Sequence, residues 1–300
     1  MEAGDVRPVK AGRVRDVYTV ETGMYDVSGY GCVYVRDGND PAIIESGIGT
    51  NHDRLVTGIE QCGVALNDVS AILLTHVHLD HAGGVGQLVE TCPNATVYVH
   101  ERGAPHLIDP DRLVAGTKSA VGDQWRYYSE PVPVPEDRIQ SLSDGATVRL
   151  GDDRLDVIET TGHASHHLSF HDPANDAILT GDAAGLWLAG QEQVAPSTPP
   201  PEFDLDRTLT DIERLRAVGA ETLLYTHYGP AIGADERLAA YETTIRDWVR
   251  TVRTAIDEGE TDAEIVDATV DRYGFAAEWG VEKARAETRV NVAGIRAGTD

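Results

Sequence analysis

The sequence predicts an α/β fold, and three observations carry that expectation. Short apolar runs bounded by polar residues recur along the chain and read as buried strands. Stretches with an apolar residue every three to four positions read as amphipathic helices. Four of the strands, at residues 71–74, 154–159, 177–180 and 223–226, run into a histidine or an aspartate at or just past their ends. Polar side chains converging from strand ends onto one rim is how open α/β proteins build sites.

Taken in order, residues 14–20, 32–35 and 42–44 are rich in strand formers, with Asp37-Gly38-Asn39-Asp40-Pro41 as a turn. Residues 50–62 read as a helix, on which His52 is expected to lie at the surface. The densest stretch then follows the apolar run 71–74: Thr75-His76-Val77-His78-Leu79-Asp80-His81-Ala82-Gly83-Gly84. A strand sends residues i and i+2 to one side, so His76 and His78 can point at one metal. Asp80 and His81 are expected to face the same hollow from the start of a helix at 85–90. Gly83 and Gly84 would let backbone pass close to whatever is bound. Mixed imidazole and carboxylate donors favour zinc, with iron and manganese as alternatives. The competing explanation is a surface loop that happens to be rich in histidine, and four donors after a buried strand weigh against it.

Residues 95–99 read as another strand, after which 101–140 lose periodicity around several prolines and Trp125-Arg126-Tyr127-Tyr128. A segment this irregular in an α/β enzyme is expected to be a lid or binding loop. From 235 to 258, Leu238, Tyr241, Ile245, Trp248, Val252 and Ile256 recur with helical spacing. Thr261-Asp262-Ala263-Glu264 has the form of a capping box, and a last helical stretch follows Ala276. The expected organisation is a catalytic unit over 1–232, with an insert at about 101–140, and a helical extension over 233–300. The extension is expected to shape the pocket or a homodimer interface rather than to do chemistry.

Composition bounds the rest. A chain of 300 residues can bury one large core or one core plus a small appended domain. It holds no apolar run near the roughly 20 residues that span a bilayer, and its acidic start lacks the apolar core of a signal peptide. A soluble, cytoplasmic protein is expected. Cys32, Cys62 and Cys92 are odd in number and far apart, so inert thiols are expected rather than disulfides. Acidic residues number 50 against 25 basic ones, a net charge of -25. Only Lys10, Lys118 and Lys283 are lysines. Such charge self-repels in dilute buffer, whereas at about 1 M salt the Debye length falls to roughly 3 Å. The composition therefore reads as that of a halophile.

The His-x-His-x-Asp-His run closely resembles the signature of the metallo-β-lactamase-fold hydrolases. So do Gly162-His163-Ala164-Ser165-His166-His167, Gly181-Asp182 and His227-Tyr228-Gly229-Pro230, and the resemblance covers residues 13–232. It implies a four-layer αββα sandwich with a small helical C-terminal piece. It also implies two zinc ions per chain, iron or manganese being the other candidates. His76, His78, His163 and Asp182 would hold the first metal; Asp80, His81, Asp182 and His227 would hold the second. His167 would support them, while His166 stands where the family has glycine. Glu45 matches a family position beneath the metals, with a solvated strand-end carboxylate as the competing expectation.

The implied reaction is addition of a metal-activated hydroxide to the carbonyl of a small ester or thioester. Asp80 would orient the hydroxide and shuttle its proton, Asp182 would bridge, and Tyr228 would donate to the developing oxyanion. Family lactonases carry a tyrosine where this chain has Gly185, and true β-lactamases of the fold commonly carry cysteine where it has Asp182. The segment Ala183-Ala184-Gly185-Leu186-Trp187-Leu188 also departs from the glyoxalase II pattern. A generic acyl hydrolase, near glyoxalase II-like and uncharacterised archaeal members, is left. The alternatives are a phosphodiesterase or nuclease of the same fold and an iron-dependent redox relative of the persulfide dioxygenase kind. No run of five or more Lys or Arg supplies a phosphate groove, so a small-molecule substrate is expected and nucleic acid is not.

Overall fold

A computed structural model describes residues 4–298. Seven strands form the first sheet in chain order: β1 (Val6–Pro8), β2 (Val17–Glu21), β3 (Cys32–Arg36), β4 (Ala42–Ile44), β5 (Ala71–Leu73), β6 (Thr96–His100) and β7 (Ile139–Leu142). β4 to β7 run parallel, and the earlier pairs are antiparallel. β8 (Thr147–Leu150), β9 (Asp153–Glu159), β10 (Leu168–Asp172) and β11 (Ala177–Gly181) begin the second sheet, and a hairpin of β12 (Leu186–Leu188) and β13 (Gln193–Ala195) stands apart. β14 (Thr222–Tyr225) and β15 (Gly229–Ile232) complete the second sheet in the order β15-β14-β11-β10-β9-β8.

Alternation along the strands explains the layering. Ile44, Ala71 and Leu73 pack against Val157, Phe170, Leu179 and Leu224 between the two sheets. Their neighbours Ile43 and Ile72 turn the other way, onto Leu55 and Ile59 of α1 (His52–Gln61) and Leu88 of α3 (Val85–Thr91). Ile178 and Leu223 face outward from the second sheet onto α6 (Leu205–Val218) and α7 (Ala234–Asp257). Two sheets back to back with helices outside both make the four-layer αββα sandwich. A strand that alternates large apolar side chains on both faces can only be buried from both sides.

The helical C-terminus consists of α7, α8 (Asp262–Tyr273) and α9 (Ala276–Ala297), all within the apolar cluster on the outer face of the second sheet. The capping box is present: Thr261 caps α8 while Glu264 returns to the Thr261 backbone. Gly280, at φ 71, interrupts α9. None of these helices is long and apolar enough to cross a membrane.

Two expectations need correction. The segment 101–140 is not one irregular loop: it contains α4 (Ala104–Ile108) and the eleven-residue α5 (Asp111–Val121). None of the α5 side chains is fully buried, but the half-buried Leu113, Val114, Thr117, Ala120 and Val121 recur with helical spacing, a weak stripe that the sequence reading passed over. Gly83 and Gly84 serve a neighbouring loop rather than a bound group. A Cβ on Gly83 would stand 2.4 Å from the Leu79 carbonyl oxygen and 2.9 Å from Ile48, and one on Gly84 would stand 2.6 Å from the Ser46 oxygen. The motif residues Leu79–Ala82 form their own helical turn, α2, ahead of α3.

Candidate metal centre

The donors come from strand ends along one edge between the sheets. β5 leads into His76 and His78, α2 presents Asp80 and His81, and the ends of β9, β11 and β14 lead to His163, Asp182 and His227. His78 Nδ1 lies 2.9 Å from His76 Nε2 and 3.1 Å from His163 Nε2. Asp182 Oδ2 is 3.6 Å from His163 Nε2, while its Oδ1 is 3.3 Å from His81 Nε2 and 3.4 Å from His227 Nε2. Asp80 Oδ2 is 3.8 Å from His81 Nε2 and 3.9 Å from His227 Nε2. The structure thus brings all seven expected donors together. Asp182 turns one oxygen to each group.

These separations fit metal ligation. Four ligands at ~2.0–2.1 Å around a tetrahedral ion stand about 3.3 Å from one another. Both ring nitrogens of His81 and Oδ1 of Asp182 are buried without a hydrogen-bond partner among the described residues. Leaving such atoms unpaired costs about 1–3 kcal/mol each; a cation shared by His81 Nε2 and Asp182 Oδ1 removes that cost at those two atoms, while His81 Nδ1 faces Glu45 Oε1 at 3.3 Å. Three overlapping groups have ligand atoms within 4.8 Å of one another: His76 with His78 and His163, His76 with His81 and Asp182, and Asp80 with His81 and His227.

Protonation suits the same use. Burial pushes the His163 imidazole down to about 3, with the Asp182 carboxylate pulling the other way. Burial also drives His76 well below its ordinary value, helped by the neighbouring His81 and His78. Desolvation alone would raise the Asp80 and Asp182 carboxyls, but His81 and His227 outweigh it and hold both below the usual carboxylate range. Neutral imidazoles beside ionised carboxylates are the forms that bind a cation. His81 is the exception: burial lowers it, but the Asp182, Asp80 and Glu45 carboxylates outweigh burial and raise it well above its ordinary value, so it gives up a proton when a cation takes that place.

A second ring of contacts fixes the donors. His227 Nδ1–H donates to the Tyr30 carbonyl at 2.9 Å, which leaves Nε2 for the centre. Asp182 N–H donates to His167 Nε2 at 3.1 Å, so His167 holds the Asp182 backbone in place. Ser197 Oγ donates to Asp182 Oδ2 at 3.1 Å and lies 3.3 Å from His163 Nδ1. Glu45 is fully buried rather than solvated. Its Oε1 accepts from Thr75 and Thr226 and lies 3.3 Å from His81 Nδ1. Gly181 is required where β11 meets Asp182: at φ 49, a Cβ there would stand 2.6 Å from Thr75 Oγ1 and 2.7 Å from His167 Nε2. His166 stacks 6.1 Å from His76 and accepts from Val77 N–H, outside both donor groups.

Tyr228 takes a strained backbone at φ 68. Its phenol is raised by burial and by Glu278 and Glu287, and the Trp279 indole faces it without closing a hydrogen bond of normal geometry. The hydroxyls that feel Asp80 belong to Tyr25, Tyr30 and Tyr128. Leu186, Trp187 and Leu188 lie in the apolar cluster with α7, and Trp125 stacks on Tyr128 at 5.3 Å. Sequence reasoning missed Ser197, Tyr25 and Tyr30, whereas Tyr128 belongs to the aromatic stretch 125–128 expected in a lid or binding loop. Ser197 has no motif around it, and Tyr25 and Tyr30 carry no spacing signal.

The sequence profile of the metallo-beta-lactamase superfamily matches residues 28–227. The metallo-beta-lactamase fold-containing protein ST1585 of Sulfurisphaera tokodaii is 29% identical over 168 residues, which cover 55% of this chain and 62% of that protein. A hydroxyacylglutathione hydrolase of Xylella fastidiosa is 31% identical over 153 residues, 51% of this chain and 44% of that one. The chain thus spans less than two thirds of the length of these curated relatives. In three dimensions, the crystal structure of ST1585 superposes with a TM-score of 0.71 at 21% identity, over 94% of this chain and 99% of that one. TTHA1429 of Thermus thermophilus gives 0.64 at 21% identity, over 98% and 92%. At such identities the superpositions speak for the fold, and the profile speaks for descent: the chain belongs to the metallo-beta-lactamase superfamily.

Proposed function

We propose that this chain is a metal-dependent hydrolase with two metal positions that adds water to the carbonyl of a small ester or thioester. The observation that carries the reading is the division of Asp182, Oδ2 toward His163 and Oδ1 toward His81 and His227. One tetrahedral ion cannot use seven donors, whereas two that share a carboxylate can. We assign His76, His78, His163 and Asp182 to the first position and Asp80, His81, Asp182 and His227 to the second, with zinc as the expected ion.

Bound there, such ions supply Lewis acidity and a water that ionises near neutral pH. The chain's own residues do the rest. Asp80 is the most open of the carboxylate and imidazole side chains at the second position, 22% exposed against at most 7% for His81, Asp182 and His227. Its carboxylate is therefore the group to hold the proton of the incoming water and return it to the leaving group. Tyr228, expected to donate to the developing oxyanion, instead packs against Tyr30, whose carbonyl orients His227, and so acts as a positioning residue. Residues 233–300 act as an extension that completes the wall of a site built within 1–232.

Carbonyl chemistry is favoured over phosphoryl chemistry because few cations near the centre are uncommitted. Arg126 is paired with Glu282, and Arg285 with Asp267 at 2.6 Å. Relatives named hydroxyacylglutathione hydrolase point the same way. The test is metal analysis of zinc-loaded protein, followed by kcat/KM on phenyl thioacetate, a lactone and bis-p-nitrophenyl phosphate. Two zinc ions per chain and preference for an acyl substrate are expected. A stoichiometry of one that Asp80→Ala leaves unchanged overturns the two-metal reading, and a tenfold preference for the phosphodiester overturns the acyl reading.

A further inference from the structure

Beside the metal donors stands an aromatic cluster of which only Tyr30 has entered the proposed function. Tyr25 and Asp26 both adopt φ 57, a left-handed conformation that costs a non-glycine residue ~1–3 kcal/mol. That backbone turns the Tyr25 ring into a cage. Its edge contacts are Tyr30 at 5.1 Å, Tyr127 at 5.7 Å and Tyr128 at 5.8 Å, and Lys283 Nζ sits 3.5 Å from its centroid. Tyr30 joins the cage to the metal donors, its ring 4.7 Å from that of His227. Lys283 is nearly buried, donates to Glu287 at 2.8 Å, and shares that carboxylate with the Tyr30 hydroxyl at 3.0 Å.

The Tyr25 and Tyr128 hydroxyls hydrogen-bond each other. Such a pair holds two hydrogens and uses one between its members, and the other has no acceptor among the described residues. The pair lies one ring away from the centre, since the Tyr30 ring touches both the Tyr25 ring and the His227 ring. The segment carrying Tyr128 is tied down, since Thr50 donates to the Tyr127 carbonyl and Ser129 N–H to the Ile48 carbonyl. Trp125 lies flat on the Tyr128 ring, 3° from parallel.

We propose that the Tyr25–Tyr128 hydroxyl pair is the substrate-facing donor of this site, keeping one phenolic hydrogen for an acceptor oxygen of an uncharged acyl substrate. The substrate class rests on the acyl-hydrolase reading; the donor itself rests on the geometry of the pair. Glu287 matches the charge of Lys283, so the cluster adds no net cation. With no net cation to offset a buried charge, the site suits a carbonyl or amide oxygen better than a carboxylate or phosphate. Lys283 is a positioning residue that seats the Tyr25 ring.

The pair makes an unusual demand on mutants. Either oxygen can be the donor, so removing one hydroxyl frees the hydrogen of the other. Tyr25→Phe and Tyr128→Phe should each lower kcat/KM for phenyl thioacetate by less than about fivefold, while the double variant loses about 100-fold, the scale of one preorganised donor. Zinc content and circular dichroism should not change. Independently of turnover, trifluoroacetophenone, an uncharged carbonyl probe, should bind zinc-loaded wild type with a tyrosine difference band in the near ultraviolet. Its affinity should fall only in the double variant. Additive effects of the two substitutions, a double variant with full metal within threefold of wild type, or probe binding with no tyrosine band each overturn the proposal. A wild type that cleaves bis-p-nitrophenyl phosphate and not the thioester overturns the acyl reading alone, and probe binding still judges the hydroxyl pair.

Discussion

The metal rim and the tyrosine wall meet where Tyr30 touches His227, yet they are written into the chain in opposite ways. The rim draws four donors from the six residues His76 to His81 and three more from the ends of buried strands. The wall draws Tyr25 from the loop after β2, Tyr128 from the segment between β6 and β7, and Lys283 from α9. Its hydroxyl pair spans 103 residues of sequence and its Tyr30–Glu287 bond spans 257. Ligands must be one of a few residue types at a fixed position, whereas a wall needs only shape and one spare hydrogen. The rim is thus held by strand ends and hydrogen-bonded histidines, and the wall by ring packing across three distant segments.

That contrast can be broken at either side. The largest effect is expected at the rim. His163→Ala should remove the first metal and lower kcat/KM by more than the ~10–100-fold typical of losing a partner behind a ligand. His166→Gly, three residues away, should keep both metals. A folded His166→Gly protein without metal would show that the ligand had been assigned to the wrong histidine.

At the wall the effect should be smaller and fall on stability first. Lys283→Met leaves Glu287, whose side chain is 17% exposed, without its cation, and breaking a buried pair costs about 3–5 kcal/mol at most. Thermal unfolding should fall accordingly, and Glu287→Gln in the same chain should recover much of the loss while zinc content stays at two. Loss of zinc on Lys283→Met would mean that wall and rim are one unit.

Salt should act on both regions alike. With a net charge of -25, melting temperature should rise steeply between dilute buffer and 2 M potassium chloride. An unchanged melting temperature would remove the halophile reading.

What the sequence made legible follows the same division. The strand ends were readable because an apolar run followed by histidine or aspartate is both a local pattern and a chemical one. His163, Asp182 and His227 could each be placed that way. Glu45 could be located but not weighed, since its burial depends on Thr75 and Thr226 arriving from other strands. α5 was passed over because its stripe is short, only half-buried and interrupted by Thr117. Tyr25 was invisible for another reason: its conformation is held by neighbours that no window of sequence contains.

Lysine scarcity turns the seat under Tyr25 into a chemical reporter. Lys10 and Lys118 are exposed, and Lys283 is the one amine shut away behind aromatic rings. A reagent that acylates or methylates amines will therefore mark two side chains quickly and the third only when the wall opens. The rate of that third modification reads the breathing of the wall directly, in a protein that has no other lysine to confuse the signal.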